Sequence, residues 1–204
     1  MTAQYSATVA VQNMLQNREW FGKYELSDRY DRLTEEEQEY AYVISVSVVQ
    51  LVYFIQVKRL GEWEADDLEE IMTYNLPVQI AAQPDFFEAV EPVLKGYLSF
   101  LGSEKLIRNT DGLIARVHEV APTMVSYAAN DNMWSANKIL GMQMIYGDVS
   151  LKEASDLAEY EQTTNFGVPI IKATRPRPKH HFTGNVVELN DALREKYRKS
   201  NSDK

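Results

Sequence analysis

The stretch TEEEQEYAYVISVSVVQLVYFIQVK, residues 34–58, decides the fold. Thr34 followed three residues later by Glu37 matches a capping box, in which each side chain satisfies an otherwise orphan backbone donor of the other residue. Downstream, Val, Ile and Tyr crowd the centre, a composition that taken alone favours a strand. Length decides against it. No turn residue occurs before Gly61, and strands longer than twenty residues are rare. The stretch therefore predicts a helix from about Glu35 to about Lys58. Its hydrophobicity is nearly continuous, which requires other elements on several sides. The apolar part, Ala41 to Val57, carries Ser45, Ser47, Gln50 and Gln56 and falls short of the ~20 residues a membrane-spanning helix needs. The expectation is a core helix and no membrane.

Working outward, residues 3–17 suggest a short helix with Val9, Met14 and Leu15 on an irregular apolar face. After Trp63, Asp66 and Glu69 give an Asp-x-x-Glu start signal for a helix that should stop near Asn75, before Leu76-Pro77. The next helix should open at Pro84-Asp85, break or kink at Pro92, and end at Gly102 in a left-handed cap, with Val93, Leu94, Tyr97, Leu98 and Leu101 in the core. Asn109 or Thr110 caps another, carrying Leu113, Ile114, Val117, Val120 and Ala121. Pro122 should interrupt it and leave a short helix over 123–129. Asp131 to Tyr146 reads as a helix with Trp134, Ile139, Leu140, Met142 and Ile145 inward and Gly147 as its cap. Ser150 with Glu153 opens one more, ending near Glu161. With no repeat and no hairpin signal, the expected class is all-α: a single bundle of about seven helices followed by a Pro-containing linker and a C-terminal amphipathic helix.

The chain has 204 residues, 45% apolar and 25% charged, as expected for one domain with a tail. Having no cysteine, it has no disulfide framework, thiolate zinc site, iron–sulfur cluster or thiol nucleophile. The N-terminus shows no basic region followed by an apolar run, so the expected location is cytoplasmic. The net charge of −9 is unevenly placed: residues 166–204 carry nine basic and four acidic residues, a balance of +5, which leaves −14 on residues 1–165. The composition changes at the same place. Arg175-Pro176-Arg177-Pro178-Lys179 favours polyproline II. Beyond it, Asn185 with Glu188 matches a capping box, and Val186, Leu189, Leu193 and Tyr197 form one apolar stripe. The domain division expected is an acidic helical bundle, 1–165, and a basic linker and helix, 166–204.

Phosphate loops, dinucleotide fingerprints, His-Glu-x-x-His pairs, nucleophile elbows and calcium loops are all absent from the sequence. His118 and Glu119 are adjacent on a helix and point about 100° apart, so they do not make an acid/base pair. His180 and His181 lie in the linker with no fixed third metal ligand. Asp66, Asp67, Glu69 and Glu70 sit in the first turn of a helix, where the macrodipole favours carboxylates. No catalytic residue, metal site or cofactor is therefore expected. Asp131-Asn132-Met133-Trp134-Ser135-Ala136-Asn137-Lys138 gathers polar residues around a tryptophan, which makes Trp134, Asn137 and Lys138 a candidate recognition corner. The competing view has Asp131 as an N-cap and Trp134 in the core.

From about Trp63 to Glu161 the sequence resembles the helical region of uncharacterised bacterial proteins that carry a SEC-C zinc-binding motif. The pieces are Trp63 with Asp67-Leu68-Glu69-Glu70, Leu76-Pro77, Phe87 followed by Pro92-Val93-Leu94, Phe100-Leu101-Gly102, Ile107 with Asn109, Asp131 with Trp134, Lys138, and Met142 before Gly147. The resemblance implies a small helical bundle and brings no catalytic residue. The zinc motif itself cannot be present without cysteine, and the basic linker and helix stand in its place. Ser135 and Asn137 also occupy positions that are small in the family.

The leading functional expectation is a non-enzymatic adaptor or regulator whose tail contacts a protein partner through Lys172, Arg175, Arg177, Lys179, His180, His181, Arg194 and Arg198. The alternatives are nucleic-acid binding through the same residues, which salt would weaken, an acidic body that mimics nucleic acid, and an enzyme whose site assembles only in three dimensions. A further reading has the tail packing across the acidic body of its own chain.

Overall fold

In the computed structural model, which describes residues 4–146, every regular element is helical. The order is α1 (Ala7–Tyr24), α2 (Glu35–Gln56), a 3-10 turn (Leu60–Glu62), α3 (Ala65–Glu70), a π-helical turn (Ile71–Asn75), α4 (Leu76–Gln79), α5 (Pro84–Ser103), α6 (Thr110–Ala129), a 3-10 turn (Asp131–Met133) and α7 (Ala136–Tyr146). No strand occurs among the described residues, so the class is all-α. Because α3, the π turn and α4 follow without a break, the seven segments form six helical bodies. The expected Gly147 cap, the helix opened by Ser150, the domain boundary after residue 165 and the C-terminal helix lie outside the described residues.

α2 forms as expected. Thr34 Oγ1 accepts from Glu37 N at 3.2 Å, and Glu37 Oε2 accepts from Thr34 N at 2.7 Å. Ten of its residues are buried, Ala41, Ile44, Val48, Val49 and Val52 completely or nearly so. By length and composition alone α2 could cross a membrane, but the face that would meet lipid is largely the one packed into this bundle. It ends at Val57, a β-branched residue held at φ 57°, a conformation such residues rarely adopt.

α1 departs from expectation in length and in phase. It continues to Tyr24, and its buried stripe is Asn13, Asn17, Phe21 and Tyr24, while Leu15 stays 59% exposed. The two asparagines conceal this stripe in the sequence. Asn17 is fully buried because both ends of its amide are used: Nδ2 donates to Ser45 Oγ at 3.2 Å, and Oδ1 accepts from Tyr97 Oη at 3.0 Å. This polar link ties α1, α2 and α5 inside an aromatic cluster in which Phe21, Tyr24, Tyr30, Tyr97 and Phe100 pack tilted or edge to face.

Four local expectations are corrected. The start of α3 is capped by Asp67, whose Oδ2 accepts from Glu64 N at 2.7 Å, rather than by an Asp66–Glu69 pair. The helix does not stop at Asn75: the wide π turn carries the chain through, with Leu76 N bonded to Ile71 O, and Pro77 falls in the first turn of α4, where its missing donor matters least. α5 and α6 run through Pro92 and Pro122 without a break. Pro122 lies on the exposed face of α6, where water can satisfy the carbonyl it leaves unbonded.

The fourth concerns Gly102. The left-handed residue after α5 is Lys105, φ 58°, with Lys105 N bonded to Gly102 O at 3.0 Å and Leu106 N to Leu101 O at 2.9 Å, a Schellman arrangement. Gly102 is required for a different reason: a Cβ there would fall within 2.6 Å of the Thr110 side chain.

Candidate functional site

The sequence-derived candidates separate into groups whose charges are already engaged. Asp67 pairs with Lys58 at 2.9 Å, Glu69 with Arg116 at 2.6 Å and Asp66 with Arg116 at 3.7 Å, while Glu70 accepts from Gln56 Nε2 at 3.0 Å. Hydrogen bonds from Asp67 and Glu64 raise the Lys58 pKa above its ordinary value. The acidic set is a helix start with its counterions, spread over several partners. His118 faces Glu91 rather than Glu119, with Nδ1 2.7 Å from Glu91 Oε1. Burial pushes the Glu91 carboxyl up, but hydrogen bonds with His118 and Lys95 outweigh it and hold the pKa below its usual value. Among the described residues no group of three or more His, Asp or Glu is placed to hold a metal ion.

At the expected recognition corner, Asp131–Met133 form a 3-10 turn and α7 begins only at Ala136. The extended residue Trp134 separates the two, ψ 138°. Trp134 is half-buried and donates from Nε1 to Ala128 O at 2.8 Å. Lys138 is completely buried. Its Nζ donates to Pro77 O at 2.6 Å and to Ala128 O at 3.3 Å, and lies 4.6 Å from the centre of the Phe87 ring and 4.8 Å from that of Trp134. Carbonyls and aromatic faces thus replace the water around its ammonium, and burial lowers its pKa to about 8. Lys138 and Trp134 use their polar atoms to fix α7 against α4 and α6; Asn137 is half-buried beside them. Ile139, expected inward, is 41% exposed. The tail residues Lys172, Arg175, Arg177, Lys179, His180, His181, Arg194 and Arg198 lie outside the described residues.

A concave surface among the described residues lies elsewhere, along α1 and α2. A groove of about 560 Å³ takes Val11, Met14, Leu15 and Arg18 from α1. From α2 it takes Tyr42, Gln50, Tyr53 and Phe54, and Gln79 and Ile80 come from the end of α4. Tyr5 packs on Tyr53 and Phe54 at one end, with ring centres 5.7 and 5.8 Å apart. Val11 and Leu15 are each 59% exposed, a large apolar surface to leave in water. Asn13 and Ser47 also line the groove, and Asn13 Nδ2 and Ser47 Oγ have no hydrogen-bond partner although both residues are buried. Of the lining residues only Arg18 carries a charge. The arrangement offers apolar area and one guanidinium, the two unpartnered polar atoms being sealed beneath it.

Sequence reasoning missed the groove because it placed Val9, Met14 and Leu15 on one irregular apolar face of a helix ending near residue 17. The signal was present: Val11 and Leu15 are four residues apart, on a face different from that of Phe21 and Tyr24. A short helix with two apolar faces has one more than its own core requires.

Comparison with protein-family models, with curated proteins and with solved structures gave no match to this chain. The SEC-C resemblance thus rests on the sequence pieces alone, and many of them, among them Leu68, Leu76, Phe87, Val93, Leu94, Phe100, Leu101 and Met142, are buried core positions.

Proposed function

We propose that this chain is a non-enzymatic interaction adaptor of the cytoplasm, related to the helical region of SEC-C motif proteins, that binds an acidic amphipathic segment of a protein partner. The apolar stripe of that segment fills the groove along α1 and α2. Its carboxylates meet Arg18 and the basic residues Lys172, Arg175, Arg177, Lys179, Arg194 and Arg198. The observation that carries the proposal is the groove itself, where Val11 and Leu15 are exposed together with Tyr5, Tyr42 and Phe54. Helix-in-groove recognition needs such a surface and no reactive group.

The test compares capture from native extract by the full chain, by a Val11→Asp/Leu15→Asp variant and by an Arg175→Glu/Arg177→Glu/Arg194→Glu/Arg198→Glu variant, identifying both protein and nucleic acid in each eluate. A protein held by the parent and lost from both variants is the expected result; equal recovery by all three overturns the proposal. The +5 balance of residues 166–204 supports a second reading, nucleic-acid binding by the tail. That reading requires nucleic acid in the eluate, loss only in the arginine variant, and an affinity that falls steeply with salt.

A further inference from the structure

We infer that the place between the C-terminal ends of α4 and α6 where Lys138 sits is a binding site for a primary alkylammonium, the head of a lysine side chain, and that Lys138 fills it as an internal ligand which an outside lysine can replace. Four groups wall the site. None of them belongs to α7, and none lines the groove along α1 and α2. Pro77 O and Ala128 O lie in the last turns of α4 and α6, where backbone carbonyls have no partner within the helix. They sit at the negative ends of two macrodipoles, that of the unbroken run Ala65–Gln79 and that of the twenty-residue α6, which favours a cation there. Phe87, from the first turn of α5, and Trp134, from the extended segment before α7, bring their rings to 4.6 and 4.8 Å from the same nitrogen. Trp134 is held in place without α7, because its Nε1 donates to Ala128 O at 2.8 Å. Both hydrogen bonds from Lys138 Nζ go to carbonyls, at 2.6 and 3.3 Å, and neither goes to a carboxylate. The carbonyls require N–H donors on the ligand, which a quaternary ammonium lacks. The rings require a positive charge, which an alcohol lacks. A primary alkylammonium has both.

α7 brings little else to this face of the bundle. Among its described residues Lys138, Gly141 and Met142 are buried, whereas Ala136 and Ile139 are exposed. Gly141 allows the close approach, since a Cβ there would fall 2.5 Å from the Ala81 side chain, and just ahead of the helix Ser135 N donates to Val78 O at 3.0 Å. A helix on a protein surface ordinarily docks through a stripe of apolar side chains. Here the deepest side chain is a cation with no exposed surface. Ordering a lysine stem and stripping water from its head both cost free energy, which only a matched site returns. α7 is therefore seated as a tethered ligand is seated on its receptor. Such a ligand competes at a high effective concentration, about millimolar or more, and an outside lysine must exceed that concentration to take its place.

The test is made in the full chain. Lys138→Ala removes the side chain beyond Cβ, a piece with the same heavy atoms as n-propylammonium. Amide hydrogen exchange over residues 136–146, read against α2 and α5, should quicken about tenfold or more in this variant. n-Propylammonium at constant ionic strength should restore the parent's exchange saturably. 1-Propanol, which has the length without the charge, and tetramethylammonium, which has the charge without a donor, should not. Equal restoration by 1-propanol overturns the inference in favour of a plain apolar gap; no restoration by the amine, or unchanged exchange in the variant, overturns it outright. If the substitution loosens the whole bundle, the same titration is read as the thermal midpoint, which n-propylammonium alone should raise. Lys138→Met, whose neutral chain fills the space, should show faster exchange over 136–146 and no response to the amine. In the parent, Nα-acetyl-lysine methylamide at about ten times a millimolar effective concentration should quicken exchange over 136–146 at least twofold, and its norleucine counterpart should leave it unchanged. No response of the parent beside rescue of Lys138→Ala overturns replacement by an outside lysine and keeps the ammonium site.

Discussion

Lys138 shows how far a single side chain can depart from its type. Lysine is rarely buried without a carboxylate, yet here two carbonyl oxygens and two aromatic faces enclose the ammonium. Its pKa of about 8, against about 10.4 in an unfolded chain, means that between those values the unfolded state binds more protons than the folded one. The sign follows: this group's contribution to stability rises as pH goes from about 8 to 10, at most about 1.4 kcal/mol per pH unit. Lys138→Met, close in length and uncharged, should remove that rise, as denaturant unfolding of both proteins across pH 7–10 will show. Gly96 presents the opposite case of a side chain that cannot be added. The Tyr24 hydroxyl occupies the place of its Cβ and has no hydrogen-bond partner. Gly96→Ala should cost about 1–3 kcal/mol by overpacking, and Tyr24→Phe, which deletes the obstructing oxygen, should restore most of the loss in the double variant. None of this was legible in the sequence, where a lysine reads as surface and a glycine as a turn or helix end. Only packing reveals which neighbour occupies the space.

At the scale of elements, starts were more legible than stops. The Thr34–Glu37 box is chemistry between two side chains and two nearby donors, and so is fixed by local sequence. Thr34→Ala should cost about 1 kcal/mol in urea unfolding with an unchanged m-value. Stops were read from proline and glycine, and there tertiary structure prevailed. Pro92 and Pro122 stay inside their helices and Pro77 enters through a π turn, because packing of α5 on α6 and of the α3–α4 run on α6 outweighs a few missing hydrogen bonds. Of the face expected inward around α7, Met142 is buried and Trp134, Leu140 and Ile145 are half-buried, and only Ile139 departs from it. Trp134 is extended, so the 3-10 turn Asp131–Met133 and the helix Ala136–Tyr146 are separate elements, and in the latter Lys138 is buried while Ile139 is exposed.

For the molecule as a whole, the all-α class was legible because α2 is too long for a strand, whereas the groove was not, because it exists only between helices. The link that most depends on global assembly is Asn17, which joins α1, α2 and α5 through Ser45 and Tyr97. Asn17→Ala strands the Tyr97 hydroxyl in the core and leaves a cavity, and should cost about 2–4 kcal/mol in thermal unfolding, more than any single cap. The way α7 is fastened has a practical consequence. A primary amine sealed beneath a tryptophan is out of reach of acylating reagents while that helix is seated, whereas Lys23, Lys58 and Lys95 keep exposed surface. The rate at which Lys138 is acylated, read by mass spectrometry against those three as internal standards, is thus a clock for the lifting of α7 from the bundle.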